Sequence, residues 1–186
     1  MKIIKRVLVP LIICAFAPFA VAADRSVDNH PGFVNFSTLT SIANVEPKVE
    51  VSLKAPLLNM MTNLIRTEDE QAAEFISKLL RVTVNVFESD AINIDEISAS
   101  MNQTAKELDA KGWERVVRVR EDDSHVDIYF RLSENAERIH GVAIMVAEPR
   151  EIVLVNIVGD ISTDDISALG RRFDIVELTD IEIEID

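Results

Sequence analysis

Residues 152–158, IVLVNIV, constrain this chain more than any other stretch. Ile152, Val153, Leu154, Val155, Ile157 and Val158 are apolar with almost no alternation. A half-buried strand alternates, so a strand of this composition is expected to be covered on both faces. Gly159-Asp160 reads as its end. Ser162 then stands three residues before Asp165. At that spacing the two side chains satisfy each other's backbone amides at a helix start. The other elements must pack around this strand.

The first residues read as an export signal. Lys2, Lys5 and Arg6 form a positive start, Val7 to Phe19 an apolar run, and Ala20-Val21-Ala22 a small-residue cleavage site. Cleavage before Ala23 or Asp24 divides the chain into a signal, 1–22, and one domain, 23–186. The apolar run is short of the roughly 20 residues that span a bilayer, so no membrane span is expected after cleavage. The chain has one cysteine, Cys14, inside the apolar run. It follows Ile13, where lipoprotein processing needs a small residue, and is expected to leave with the signal. A mature chain without cysteine excludes disulfides, thiolate metal sites and cysteine nucleophiles. It must be held by its core, for which 48% apolar residues suffice. The net charge of −13 becomes −16 without the three signal cations. An acidity of that size repels nucleic acid and anionic lipid.

The order of elements gives the fold class. Phe33 to Phe36 and Val49 to Leu53 alternate like short strands, the second followed by Pro56 at a helix start. Leu57, Met60, Met61, Leu64 and Ile65 form one helical stripe. Thr67 and Glu70 suggest a second capped helix, carrying Phe75, Ile76 and Leu79. Val82, Val84 and Val86 alternate as a strand. Asn93 and Glu96 start a further helix that ends at Gly112. Strands are then read at 113–120, 124–132, 141–147 and 152–158, followed by a helix and an acidic edge strand over Asp180–Asp186. Consecutive strands with short turns mean an antiparallel meander of about five strands. The class is α+β, with helices mainly on one face. A strand-and-helix part, 31–80, precedes a sheet-and-helix part, 81–186.

Nothing in the sequence carries recognisable catalysis. His30, His125 and His140 are far apart and have no ligand-spaced carboxylate. Asp123, Ser124 and His125 are adjacent and point alternately to opposite faces, so they form no relay. Asp160, Ser162, Asp164 and Asp165 lack the glycine and the final acid of a calcium loop and fit helix capping instead. No cofactor, metal or catalytic residue is expected.

Two hairpin registers carry the interaction hypothesis. With Asp122-Asp123 as a loop, Arg118 faces Asp127, Glu114 faces Arg131, and Val119 and Val117 face Val126 and Ile128. The charged side, with Arg120, His125 and Tyr129, is read as an outer face with a docking patch as the functional alternative. On that reading Arg118 contributes well under ~1 kcal/mol. With Pro149-Arg150 as the second turn, Val146, Ile144 and Val142 face Val153, Val155 and Ile157. The other side holds Met145 and Leu154 among smaller residues. It needs a cover, either the helices from Pro56 to Leu80 or a second molecule. Arg118, Arg120, His125, Asp127, Tyr129, Arg131, Met145 and Leu154 are therefore the candidate interaction surface.

The export signal, GFVNF, PKVEVSLKAPLL and VNIVGDISTDDISALGRRFDI together resemble a bacterial family, the domain of unknown function family 4252. The resemblance implies a small exported protein, some relatives being encoded near sigma-factor regulatory genes. It implies no activity and no site residue. The expected function is a non-catalytic periplasmic interaction protein in envelope or sigma-factor signalling, with an unknown protein partner or a homodimer. The alternative is a carrier of a small apolar ligand lined by Met60, Met61, Met101 and Met145.

Overall fold

The computed structural model describes residues 25–121, 124–162 and 164–165. Its strands are β1 (Val49–Lys54), β2 (Leu79–Glu88), β3 (Glu114–Arg120), β4 (His125–Leu132), β5 (Arg138–Glu148) and β6 (Glu151–Ser162). They form one sheet in the order β1-β2-β6-β5-β4-β3, antiparallel throughout. The helices are α1 (Arg25–Asp28), α2 (Ser37–Ala43), α3 (Ala55–Ile65), α4 (Glu70–Ser77) and α5 (Ile94–Ala110). The fold is α+β, with β3 to β6 as the expected meander and β2 and β1 added beyond β6. The expected signal at 1–22, the expected helix beyond Asp165 and the expected strand at 180–186 fall outside the described residues.

β6 is central, fully covered on one side and covered on the other only toward Ile157 and Ile161. The β5–β6 register is the predicted one: Val146 pairs with Val153, Met145 with Leu154, Ile144 with Val155 and Val142 with Ile157. One face of the sheet, called here the closed face, carries Ile152, Leu154, Met145, Ala143 and Ala147. These pack on Ile97, Met101, Ala105 and Leu108 of α5 and on Leu39 and Ala43 of α2. Small residues on β5 let α5 approach closely. The cover is thus α5, α2 and the segment before α2, not the helices from Pro56 to Leu80. Those helices pack on the opposite face, where Leu58 of α3 and Phe75 of α4 meet Val142, Phe130 and Ile157. Among the described residues the helices therefore divide between two faces.

The opposite face is apolar in every strand. Its outermost row runs Val49, Val86, Val153, Val146, Val126 and Val119 across all six strands. The next row, from Val51 to Val117, is β-branched throughout. Only the third row, from Leu53 to Phe130, lies mainly under α3 and α4. The two outer rows are half-exposed, and Val49 and Val119 at their ends are exposed.

Local signals explain the element ends. Asn93 caps α5 by accepting from Glu96 N at 3.3 Å. α4 is capped by Asp69, which accepts from Ala72 N at 3.0 Å, rather than by Thr67. Gly159 does not end β6. A Cβ there would lie 2.7 Å from the Lys78 carbonyl oxygen, so glycine lets the start of β2 pass close by while β6 runs on to Ser162.

Residues 33–36 are not a strand. They cross the closed face and are tied down by one buried side chain. Asn156 accepts from Val34 N at 3.0 Å and donates to the carbonyls of Gly32 and Val142 at 3.0 and 3.1 Å. A carboxamide offers both functions, so the backbone of this segment is satisfied without sheet pairing. Arg81 adds an ion pair to Asp28 at 2.7 Å and lies over the Phe33 ring. His30 stacks edge-on against His140 of β5, with ring centroids 5.7 Å apart.

Two outcomes follow for this segment. Asn156→Leu strands buried backbone groups and should cost about 3 kcal/mol in urea unfolding, since each such group costs roughly 1–3 kcal/mol. The His30 imidazole is held below its ordinary value of 6.5 by burial and then by His140, against a smaller pull from Asp160. The unfolded chain then binds the proton first as pH falls, so this contribution is present above 6.5 and lost on acidification through the lowered value. Thermal melts of His30→Asn should show a flatter slope than wild type as the pH falls below 6.5.

Candidate functional site

The hairpin of β3 and β4 gathers charged side chains at one edge of the closed face. Its register pairs Arg118 with Asp127, Val119 with Val126, Val117 with Ile128 and Arg120 with His125, as predicted. The expected pair of Glu114 with Arg131 is not formed. A bulge at Val116 shifts the register, so Glu114 meets Phe130 and Arg115 meets Tyr129. The bulge turns a third arginine, Arg115, onto the charged side.

Asp127 is fully buried, and its two carboxylate oxygens are taken separately. Arg118 Nε donates to Oδ1 at 2.8 Å, and Arg120 Nη2 donates to Oδ2. The hydrogen bond to Asp127 leads in holding the Arg118 guanidinium in its charged form. Arg115 Nη1 donates to the Tyr129 hydroxyl at 3.2 Å and its guanidinium faces that ring. Burial leads in raising the Tyr129 phenol above its ordinary value, so it stays protonated. His125 Nδ1 lies 2.6 Å from Ser98 Oγ on α5. Arg131 turns to the α5–β3 corner, donating to the carbonyls of Gly112 and Leu132 at 2.9 and 3.1 Å.

The charged side is thus not an outer face. A hairpin pattern says which residues share a face, not which face the helices choose. Here α5 covers the charged side, and ion pairing removes the cost of burying Asp127. Tyr129, Asp127, Met145 and Leu154 are fully buried beneath it. Of the expected surface only Arg118, Arg120, His125 and Arg131 retain exposure. Ser98 and Arg115 complete the cluster and escaped sequence reading. Ser98 shares the helical spacing of Ile94, Met101 and Ala105, so a polar residue on the buried stripe was its available signal. Arg115 needed the bulge.

The arrangement suits binding better than chemistry. Ser98 and His125 are close enough for proton transfer. The carboxylate two residues along β4 is held by Arg118 and Arg120, so it does not orient the imidazole as an acyl-transfer triad requires. Along the sheet edge, β3 presents Arg115, Arg118 and Arg120 in an otherwise acidic protein. Among the described residues no group of three His, Cys, Asp or Glu could hold a metal ion, and no helix is long and apolar enough to cross a membrane. The four methionines expected to line a ligand site fall on two sides of the sheet. Met101 and Met145 lie in the α5 core, whereas Met60 and Met61 lie on α3.

The family described as Domain of unknown function (DUF4252) matches residues 44–169. The chain belongs to that family. The match spans all six strands and α3 to α5, and begins after α2. No curated protein and no solved structure matches the chain.

Removing one arginine from Asp127 leaves the other in place, so Arg118→Ala should cost about 1–2 kcal/mol, more than a surface pair. The double variant Arg118→Ala/Arg120→Ala leaves a buried carboxylate unpaired and should cost about 3–5 kcal/mol in urea unfolding. Equal losses for single and double variants would show that Arg120 does not hold Asp127.

Proposed function

We propose that this protein is an exported, non-catalytic interaction protein of the bacterial periplasm that serves envelope or sigma-factor signalling by binding another protein. One observation carries the reading. α3 is apolar on two sides. Leu58 and Thr62 are seated inward, the threonine hydroxyl donating to Leu58 O at 3.0 Å. Leu57, Met60 and Leu64, at i, i+3 and i+7, are 39%, 52% and 67% exposed. Three large apolar side chains at that spacing form a stripe one helix wide, the pattern of a helix that docks into an apolar groove or against another helix. Methionine at its centre adapts to an uneven partner surface. The signal-like start, 1–22, supports the compartment. The family resemblance supports the signalling setting.

Leu64→Asp should leave stability within about 0.5 kcal/mol of wild type, because the side chain is exposed. Affinity capture from the native periplasm should then lose the protein retained by the wild-type chain. Identical captured proteins for both chains would overturn the reading.

A further inference from the structure

β1 and β3 are the two edges of the sheet, and they are finished differently. An edge strand turns alternate backbone N–H and C=O groups outward, a template for a further strand unless something spoils it. β3 is spoiled twice. The bulge at Val116 breaks its register, and Arg115, Arg118 and Arg120 set one sign of charge along it. β1 pairs with β2 over Val49–Lys54 without a register shift, and it holds no proline. Its Glu50, Ser52 and Lys54 are exposed, and Val49 is 44% exposed. Three features of this edge fit one occupant, a second copy of the same strand.

The first is the charge pattern. In VEVSLK an acid and a base stand symmetrically about Ser52. Residues two apart on a strand share a face. Glu50, Ser52 and Lys54 lie on the closed-face side, opposite Asn85, Thr83 and Arg81 of β2, while Val51 and Leu53 lie on the valine side, opposite Val84 and Val82. A two-fold axis normal to the sheet through Ser52 sets β1 antiparallel to its copy. Glu50 then meets Lys54 of the second copy, Lys54 meets its Glu50, and the two Ser52 residues meet each other. On the other face Val51 meets Leu53 in both directions. Opposite charges and apolar side chains placed directly across are stabilising cross-strand pairs.

The second is that the neighbouring registers are worse. Both faces are kept only if the axis passes through a residue. Centred on Val51, the pairing sets Lys54 against Lys48 of the copy, and centred on Glu50 it sets that acid against itself. Like charges directly opposite are destabilising. Centred on Leu53, it runs Val51 into Ala55, where α3 has begun, and forms no charge pair.

The third is apolar continuity. Val51 and Leu53 belong to the rows that cross the sheet from β1 to β3. Pairing at Ser52 joins the rows of two six-stranded sheets into one surface. The contact is isologous and therefore closed, so it ends at a dimer.

We infer that β1 is a homodimerisation edge, at which two copies join by antiparallel pairing about Ser52 into one continuous sheet. The paired stretch, 50–54, is short, so association belongs in the micromolar range of small interfaces. The pairing uses neither Met60 nor Leu64 of α3 and stands apart from the α3 reading.

The test uses the full chain carrying Cys14→Ser. Sedimentation should show a dimer that dissociates on dilution from about 100 to about 1 μM. Glu50→Lys sets bases against each other at both ends of the pairing and should be monomeric throughout that range. Lys54→Glu sets acids against each other and should be monomeric as well. Mixed in equal amounts the two variants are complementary and should recover the dimer, which a general loss of stability cannot produce. Both positions are exposed, so circular dichroism of each variant should match wild type. Ser52→Cys gives a second measurement. At the axis the two Cα atoms lie roughly 4.5–5.5 Å apart, within disulfide reach. Mild oxidation should therefore yield a covalent dimer, whereas Ser41→Cys on α2 should yield none. Leu64→Asp should leave the dimer intact. A wild type that stays monomeric, or mixed variants that stay monomeric while wild type dimerises, would overturn the inference. A dimer lost in Leu64→Asp would overturn it in favour of α3 as the interface.

Discussion

The register between β5 and β6 decides which residue meets which layer. Pro149-Arg150 joins the two strands, and Glu148 already pairs with Glu151. A slip of β6 by one residue against β5 would send Leu154 and Asn156 to the valine side and bring Val153 and Val155 under α5. The packing of Ile152 and Leu154 on α5 would be lost. The tie from Asn156 to Gly32 and Val34 would be lost in the same step. The cover of the closed face therefore depends on a turn at the far end of the hairpin.

Much of this was readable from residue order. The continuous apolar run at 152–158 called for cover on both faces; α5 and α2 cover one fully, whereas α3 and α4 reach the other only near Ile157. The β5–β6 register followed from matching alternation across a short turn, as did the β3–β4 register from Val117 to Arg120, short of the bulge. What escaped was of two kinds. Local competition moved a cap from Thr67 to Asp69, and the close pass of Lys78 let Gly159 extend a strand it was expected to end. The choice of covered face escaped because it is tertiary. The valine rows look like core by composition, yet α5 packs on the side with alanine, asparagine and an ion pair, where small side chains allow a helix to sit close.

The charged cluster shows what that choice requires. Asp127 is enclosed by the fold and answered by two arginines whose own side chains still reach solvent. Such a pairing secures the orientation of both strands more than it adds stability, since desolvation offsets much of the attraction. His125 and Ser98 extend the same logic to α5, giving the helix a polar reference point at the end of an apolar contact. Sequence reading named most members of this cluster and missed Arg115, because a single bulged residue is invisible in a pattern of period two.

Gly32 and Gly141 meet backbone to backbone. A Cβ at Gly32 would lie 1.8 Å from the His140 carbonyl oxygen, and one at Gly141 would lie 2.4 Å from that of Gly32. No side chain stands between them to rotate aside, so the contact has no intermediate degree of looseness. The segment from Val27 to Phe36 is seated by this contact and by the hydrogen bonds of Asn156. Its separation would uncover the closed-face end of β5 and part the hydrogen bonds of Asn156 together, which makes it a cooperative opening unit of its own. A fold held at its centre by a continuous apolar strand thus has a margin whose close fit depends on two glycines, where other residues carry side chains.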